Sequence, residues 1–174
     1  MDYFVLKQDS RYTSTPMLEG LREKLDMRDM YAATSYRIPD KLLFQVKGEK
    51  DSVFTDVLDR QLFLLSDGLK RLVELYEPRA VYKMVILMHM STRRQKTYYL
   101  PFFEELMCLS PYAELHQDQR TIKHLVLDRE RLQGKKMVRV SESELPLIVV
   151  RLDVAESLLR REPVGIRLER VELA

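Results

Sequence analysis

The 174-residue sequence predicts an α+β fold, a mainly antiparallel sheet with two capped helices, at about 66–77 and 153–162, packed on it. Two observations lead there. The first is a strand that runs straight into a helix, and it occurs twice. The apolar run Val149-Val150-Arg151-Leu152 meets Asp153, placed to accept hydrogen bonds from the free amides of a first helical turn. Glu156, three residues on, completes a capping box and Pro163 stops the helix. Likewise Leu62-Phe63-Leu64-Leu65 is followed by Ser66-Asp67 as cap, by Leu69, Leu72, Val73 and Tyr76 at helical spacing, and by Glu77-Pro78 as stop. The second observation is strict alternation. Tyr82, Met84, Ile86, Met88 and Met90 share one face of a strand and Val81, Lys83, Val85, Leu87 and His89 the other, so this strand is expected to be covered on both sides.

The remaining elements follow in order. Tyr3-Phe4-Val5-Leu6 opens the sheet, and the polar residues 8–17, with Pro16, form a loop. Leu18, Leu21, Leu25 and Arg28 mark a partial helical face over 18–31, weakened by Gly20. Residues 32–40 read as loop, and Lys41–Lys47 as a strand closed by Gly48. Thr55–Asp59 predicts one helical turn before a strand at Gln61–Leu65. Residues 81–109 predict a hairpin at the centre of the sheet, turning at Ser91–Lys96, with Pro101 marking an edge or a bulge. Strands follow at Ile122–Leu127, Lys135–Val140 and Leu145–Leu152. In the last strand Val164, Ile166 and Leu168 are out of phase with Val171 and Leu173, and a bulge near Glu169-Arg170 would bring both sets to one face. With no linker, repeat or low-complexity tract, residues 1–174 are expected to form a single domain.

Composition narrows the function classes. The net charge is +2, from 29 basic and 27 acidic residues, and it is evenly spread. Residues 1–50 carry nine basic and eight acidic side chains, residues 111–174 twelve and eleven. A nucleic-acid binder ordinarily gathers its Lys and Arg on one face or arm, so none is expected here. Cys108 stands alone, which excludes an internal disulfide and suits a reducing cytoplasm. The N-terminus lacks the basic and apolar regions of a signal peptide. The longest apolar run, Met84–Met90, contains His89 and is too short to span a bilayer as a helix, so no membrane association is expected.

No motif carries chemistry. His89, His116 and His124 lack the converging spacing of metal ligands, and neither metal nor cofactor is expected. Glu104-Glu105 is the one adjacent carboxylate pair, and on a strand its members point to opposite faces. Cys108, among Leu106, Met107 and Leu109, reads as a buried thiol of raised pKa. The five glycines form no phosphate-binding loop, and no nucleophile elbow is present. Recognition surface remains. Arg93 and Arg94 beside Tyr98 and Tyr99 have the Arg and Tyr chemistry of interface anchors, against the plainer reading of a solvated hairpin tip. Tyr12, Tyr31 and Tyr36 form a second candidate group, or merely cover a sheet edge.

Two stretches carry a family resemblance. Phe54-Thr55-Asp56-Val57-Leu58 with Phe63-Leu64-Leu65-Ser66-Asp67-Gly68-Leu69-Lys70 is one. Leu152-Asp153-Val154-Ala155-Glu156-Ser157-Leu158-Leu159-Arg160-Arg161 with Val164-Gly165-Ile166 is the other. They resemble immunity protein family eleven of bacterial polymorphic toxin systems, formerly a domain of unknown function. The strand Tyr3–Leu6 and the helix end Leu75-Tyr76-Glu77-Pro78 resemble it too, so the likeness spans nearly the whole chain. The resemblance implies stoichiometric, non-catalytic neutralisation of a cognate toxin in the cytoplasm. It supplies no catalytic residues, and toxin-facing residues are expected to vary. The near-neutral charge departs from the acidic surface of inhibitors that mimic nucleic acid. One rival reading is an enzyme or small-ligand binder with a loop-built site around Asp56 and Glu104; another is a homo-oligomeric structural protein using a sheet edge.

Overall fold

The computed structural model describes residues 1–174, an α+β arrangement of two main sheets. The larger has six strands in the order β2 (Met17–Leu18), β3 (Lys41–Lys47), β6 (Val81–His89), β7 (Arg94–Phe102), β5 (Leu64–Ser66), β4 (Val57–Leu58). Only β3 and β6 run parallel within it. The smaller has the order β14 (Ile166–Arg170), β1 (Tyr3–Gln8), β13 (Ile148–Arg151), β12 (Met137–Val140), β8 (Glu105–Leu106). A short hairpin pairs β9 (Glu114–Leu115) with β10 (Ile122–His124), and β11 (Val126–Leu127) lies parallel to β15 (Glu172–Leu173). The helices are α1 (Leu21–Lys24), α2 (Asp67–Tyr76), α3 (Arg129–Leu132) and α4 (Leu152–Leu159). None is long and apolar enough to cross a membrane.

Each sheet is buried according to its alternation, and three cores result. The central one joins both sheets through α2 and α4, with Leu65, Leu69 and Val73 packed in one cluster with Val150, Val154 and Leu158. Tyr76 on α2 and Ser157 on α4 share a hydrogen bond between their hydroxyls, 2.5 Å long. A second core lies on the opposite face of the six-stranded sheet, where Phe44, Leu87, Tyr98 and Leu100 are covered by Leu18, Leu25, Met30 and Ile38. The third covers the back of the five-stranded sheet, with Val138, Val140 and Val149 against Cys108, Leu127, Leu132 and Val171. Burying one such aliphatic side chain stabilises by about 1.5–3 kcal/mol, so every layer depends on the alternation of the strand beneath it.

Several local expectations are corrected. Ser66 caps α2 as expected, its hydroxyl accepting from Leu69 N at 3.4 Å. Asp153 does not cap α4. The helix begins one residue earlier, at Leu152, and Arg151 takes both Asp153 oxygens at 2.8 and 2.7 Å. Glu156 closes no capping box and instead lies 3.9 Å from Arg160. The span 18–31 is not one helix. Gly20, at φ 66°, turns the chain between β2 and the single turn of α1, and a short 3-10 segment follows at Met27–Asp29. The Leu18, Leu21 and Leu25 spacing nevertheless serves its purpose, since all three pack on the second core. Thr55–Asp59 holds the strand β4 in place of a helical turn. Pro101 sits in unbroken register opposite Tyr82, beyond the last residue of β7 that pairs with β5, where a missing N–H is free of cost. The final strand has no bulge that restores its phase. After Arg170 the chain leaves β1 and pairs with β11, so Ile166 and Leu168 pack on the central core, Val171 and Leu173 on the third.

Candidate functional site

The hairpin β6–β7 does not gather the four nominated anchors into one cluster. Arg93 is exposed at the turn, held at φ 53°. The Arg94 guanidinium, also exposed, stacks 4.5 Å from the Phe54 ring centre and donates from Nη1 to the Ser52 carbonyl at 2.8 Å, tying the 51–54 loop to the hairpin. Tyr98 is a correction: it is 0% exposed, and its hydroxyl donates to the Thr55 carbonyl at 2.7 Å. Burial pushes its phenol well above the ordinary range, and Asp56 adds to that. No partner reaches it. Tyr99 points to the other side of the sheet, half-buried, with the Lys70 ammonium 4.9 Å from its ring centre. Of the second tyrosine group, Tyr31 lies under the Arg139 guanidinium at 4.8 Å and Tyr36 is exposed beside Arg37.

The side on which Tyr99 lies is the surface that alternation alone did not reveal. Strand register aligns Lys41, Met84 and Tyr99 in one row, Leu43, Ile86 and Thr97 in the next, and Gln45, Met88 and Gln95 in a third. Met17 stands beside Lys47 at the edge. α2 covers this face only at the end formed by β4, β5 and Tyr82, and Lys70, over both Tyr82 and Tyr99, marks where that cover stops. Beyond it the face has no second layer. Leu43 is 44% exposed and Met84 and Met88 are half-buried, while Ile86, 8% exposed beneath its neighbours' side chains, belongs to none of the three cores. The expectation that β6 is covered on both sides therefore holds for its Lys83, Val85 and Leu87 side and in part for the other, where Ile86 is buried and Tyr82, Met84 and Met88 are half-buried. The sequence did hold a sign of this, since Lys41, Gln45 and Lys47 alternate with buried residues on the adjoining β3.

Asp56 and Glu104, the proposed centre of an enzymatic reading, serve other ends. Asp56 accepts from the Ser66 hydroxyl and from Val164 N, each at 2.6 Å. Its own backbone exchanges hydrogen bonds with Val164 O and Ser66 N, both at 2.8 Å. One aspartate thus joins the start of α2 to the chain following α4. Next to it Gly165, at φ 71°, lies so close to Thr55 that a Cβ would run into the threonine side chain. Glu104 is bound to Lys135 at 2.7 Å. The histidines lie in separate settings: His89 is buried between Gly48 O at 2.8 Å and Thr92 Oγ1 at 2.7 Å, His116 belongs to a loop turn, and His124 meets Glu172 at 3.1 Å. Burial pushes the Cys108 thiol up to about 12, the opposite of what a nucleophile requires.

A cleft of about 340 Å³ opens beside Val5 and Leu147, which pack on the third core. Its rim mixes signs: Lys7 is bound to Glu169 at 2.5 Å and Lys123 to Glu114 at 3.3 Å, and Asp59, Arg120 and Glu144 line it as well. Comparison of the chain with protein-family models finds no match. Comparison with curated proteins finds none either.

Proposed function

We propose that this protein is a non-catalytic immunity protein that neutralises a cognate bacterial toxin by binding it stoichiometrically in the cytoplasm. The observation that carries the reading is the half of the six-stranded sheet beyond α2, a face bearing Met17, Met84 and Met88 that its own chain leaves only partly covered. Methionine is suited to such a surface because its unbranched, polarizable side chain adapts to the shape of what it meets. The family resemblance fits the same division. Its motif residues, in 54–70 and 152–166, lie in the scaffold that Asp56 and Gly165 hold together, and none of them falls on β3, β6 or β7. The rival enzymatic reading loses its two carboxylates, since both oxygens of Asp56 are engaged and Glu104 is paired.

The test is a titration with the toxin-like protein encoded beside this chain's gene. Its activity is expected to fall in proportion to added protein and to vanish at one equivalent, and co-expression is expected to restore growth. A wild-type chain that neither binds that toxin nor protects against it would remove the immunity reading.

A further inference from the structure

We infer that the toxin docks on the half of the six-stranded sheet beyond α2 and meets it with an apolar patch bordered by carboxylates. This rests on the immunity reading and adds to it the face and the chemistry of the partner. The centre of the face is Leu43, Ile86 and Met88, with Met84 along the same strand and Met90, 59% exposed, in the turn that follows it. Three strands about 4.8 Å apart and roughly 20 Å long present about 300 Å² in projection, the size of the dry centre of a standard interface and not the whole of it. The exposed turn at Arg93 and Arg94 adjoins one end and extends the contact.

Charge selects the occupant. The strand residues on this face include Lys41 and Lys47; Lys47 is paired with Glu19 at 3.7 Å, and Lys70, where α2 ends its cover, with Glu74 at 2.8 Å. Lys41 takes part in no ion pair. A second copy of the chain, related by a two-fold axis, would set this face, whose exposed and unpaired charges at Lys41 and Arg93 are both basic, against another of the same sign. A partner bearing Asp or Glu around an apolar centre pairs with them and is drawn in at low ionic strength. The cleft near Leu145 lacks such a one-signed surplus, because its rim mixes Lys7, Arg120 and Lys123 with Asp59, Glu144 and Glu169.

The experiment is isothermal titration of the full-length chain with the adjacent toxin-like protein in catalytically inactive form. Leu43→Glu with Met88→Glu is expected to weaken binding by about 30-fold or more. Lys41→Glu with Lys47→Glu, both exposed and harmless to the fold, is expected to weaken it by about 10-fold and to flatten its dependence on salt. Leu145→Glu, on the opposite sheet, is expected to leave binding unchanged, and circular dichroism confirms that each variant is folded. Equal affinity for wild type and both folded face variants, or loss confined to Leu145→Glu, overturns the face while the immunity reading stands. A wild-type dimer in solution that Leu43→Glu dissociates overturns the choice of partner. Absence of any binding by the wild type defeats the immunity reading and this inference with it.

Discussion

Single residues in this molecule are fixed by the hydrogen bonds they must complete. The Tyr98 hydroxyl is buried with the Thr55 carbonyl as its acceptor, so Tyr98→Phe keeps the ring and strands the carbonyl. The expected loss of stability is about 1–3 kcal/mol, read from urea unfolding, and an unchanged midpoint would show that Thr55 O finds another donor. Cys108 is a test of the third core. With its thiol raised to about 12 by burial, it should react with iodoacetamide at pH 8 only as fast as the protein opens. Rapid stoichiometric labelling of the native protein would contradict its burial. Tyr98 also shows why residue type misleads at this scale: Arg and Tyr beside a turn have interface chemistry, but on a strand neighbouring side chains diverge, and Tyr98 faces the core while Tyr99 faces the edge of α2.

At the level of elements, the signals that survived were those with a covalent cause. Alternation located β3, β6 and β7, and Ser66 located the start of α2, because side-chain period and capping geometry are local. What local pattern could not hold was the partner across space. Asp153 has the residue type of a cap, yet Arg151 two residues earlier offers a bidentate donor and takes it, while also donating to Gly134 O at 2.6 Å. The partly covered face was hidden for the same reason, since period two says that a side chain is on a face and not what lies above it. Asp153→Asn should lower stability by about 0.5–1 kcal/mol at neutral pH, through the lost ion pair and the lost charge in the first turn of α4. The pH dependence has a definite sign. Hydrogen bonds from Arg151 hold the folded Asp153 carboxyl below its ordinary range, so its contribution is complete above about pH 4 and fades as pH falls through the folded value. Melting temperatures of wild type and variant should therefore differ at pH 7 and draw together only as pH falls below the folded value of Asp153; a constant difference would mean that the ion pair is not its source.

Across the whole molecule, the three cores lie apart from the proposed docking face. The central core is common to both sheets, α2 and α4, and the outer cores are built on the backs of those same sheets. Thermal unfolding should accordingly show one transition with equal calorimetric and van't Hoff enthalpies, and two resolved transitions would show that the sheets fold independently. The nine methionines supply the most direct probe of the proposed docking face. Met17, Met84 and Met88 lie on it and Met90 in the turn at its end, Met30 and Met137 are buried in separate cores, and Met27 and Met107 are exposed elsewhere. Carbon-13 methyl spectra of the methionine-labelled chain, recorded with and without one equivalent of inactive toxin, separate these groups in a single measurement. The expected result is large shifts for Met17, Met84, Met88 and Met90 with Met27, Met107 and Met137 unmoved; shifts concentrated at Met27 or Met107, with the sheet methionines unchanged, would contradict it.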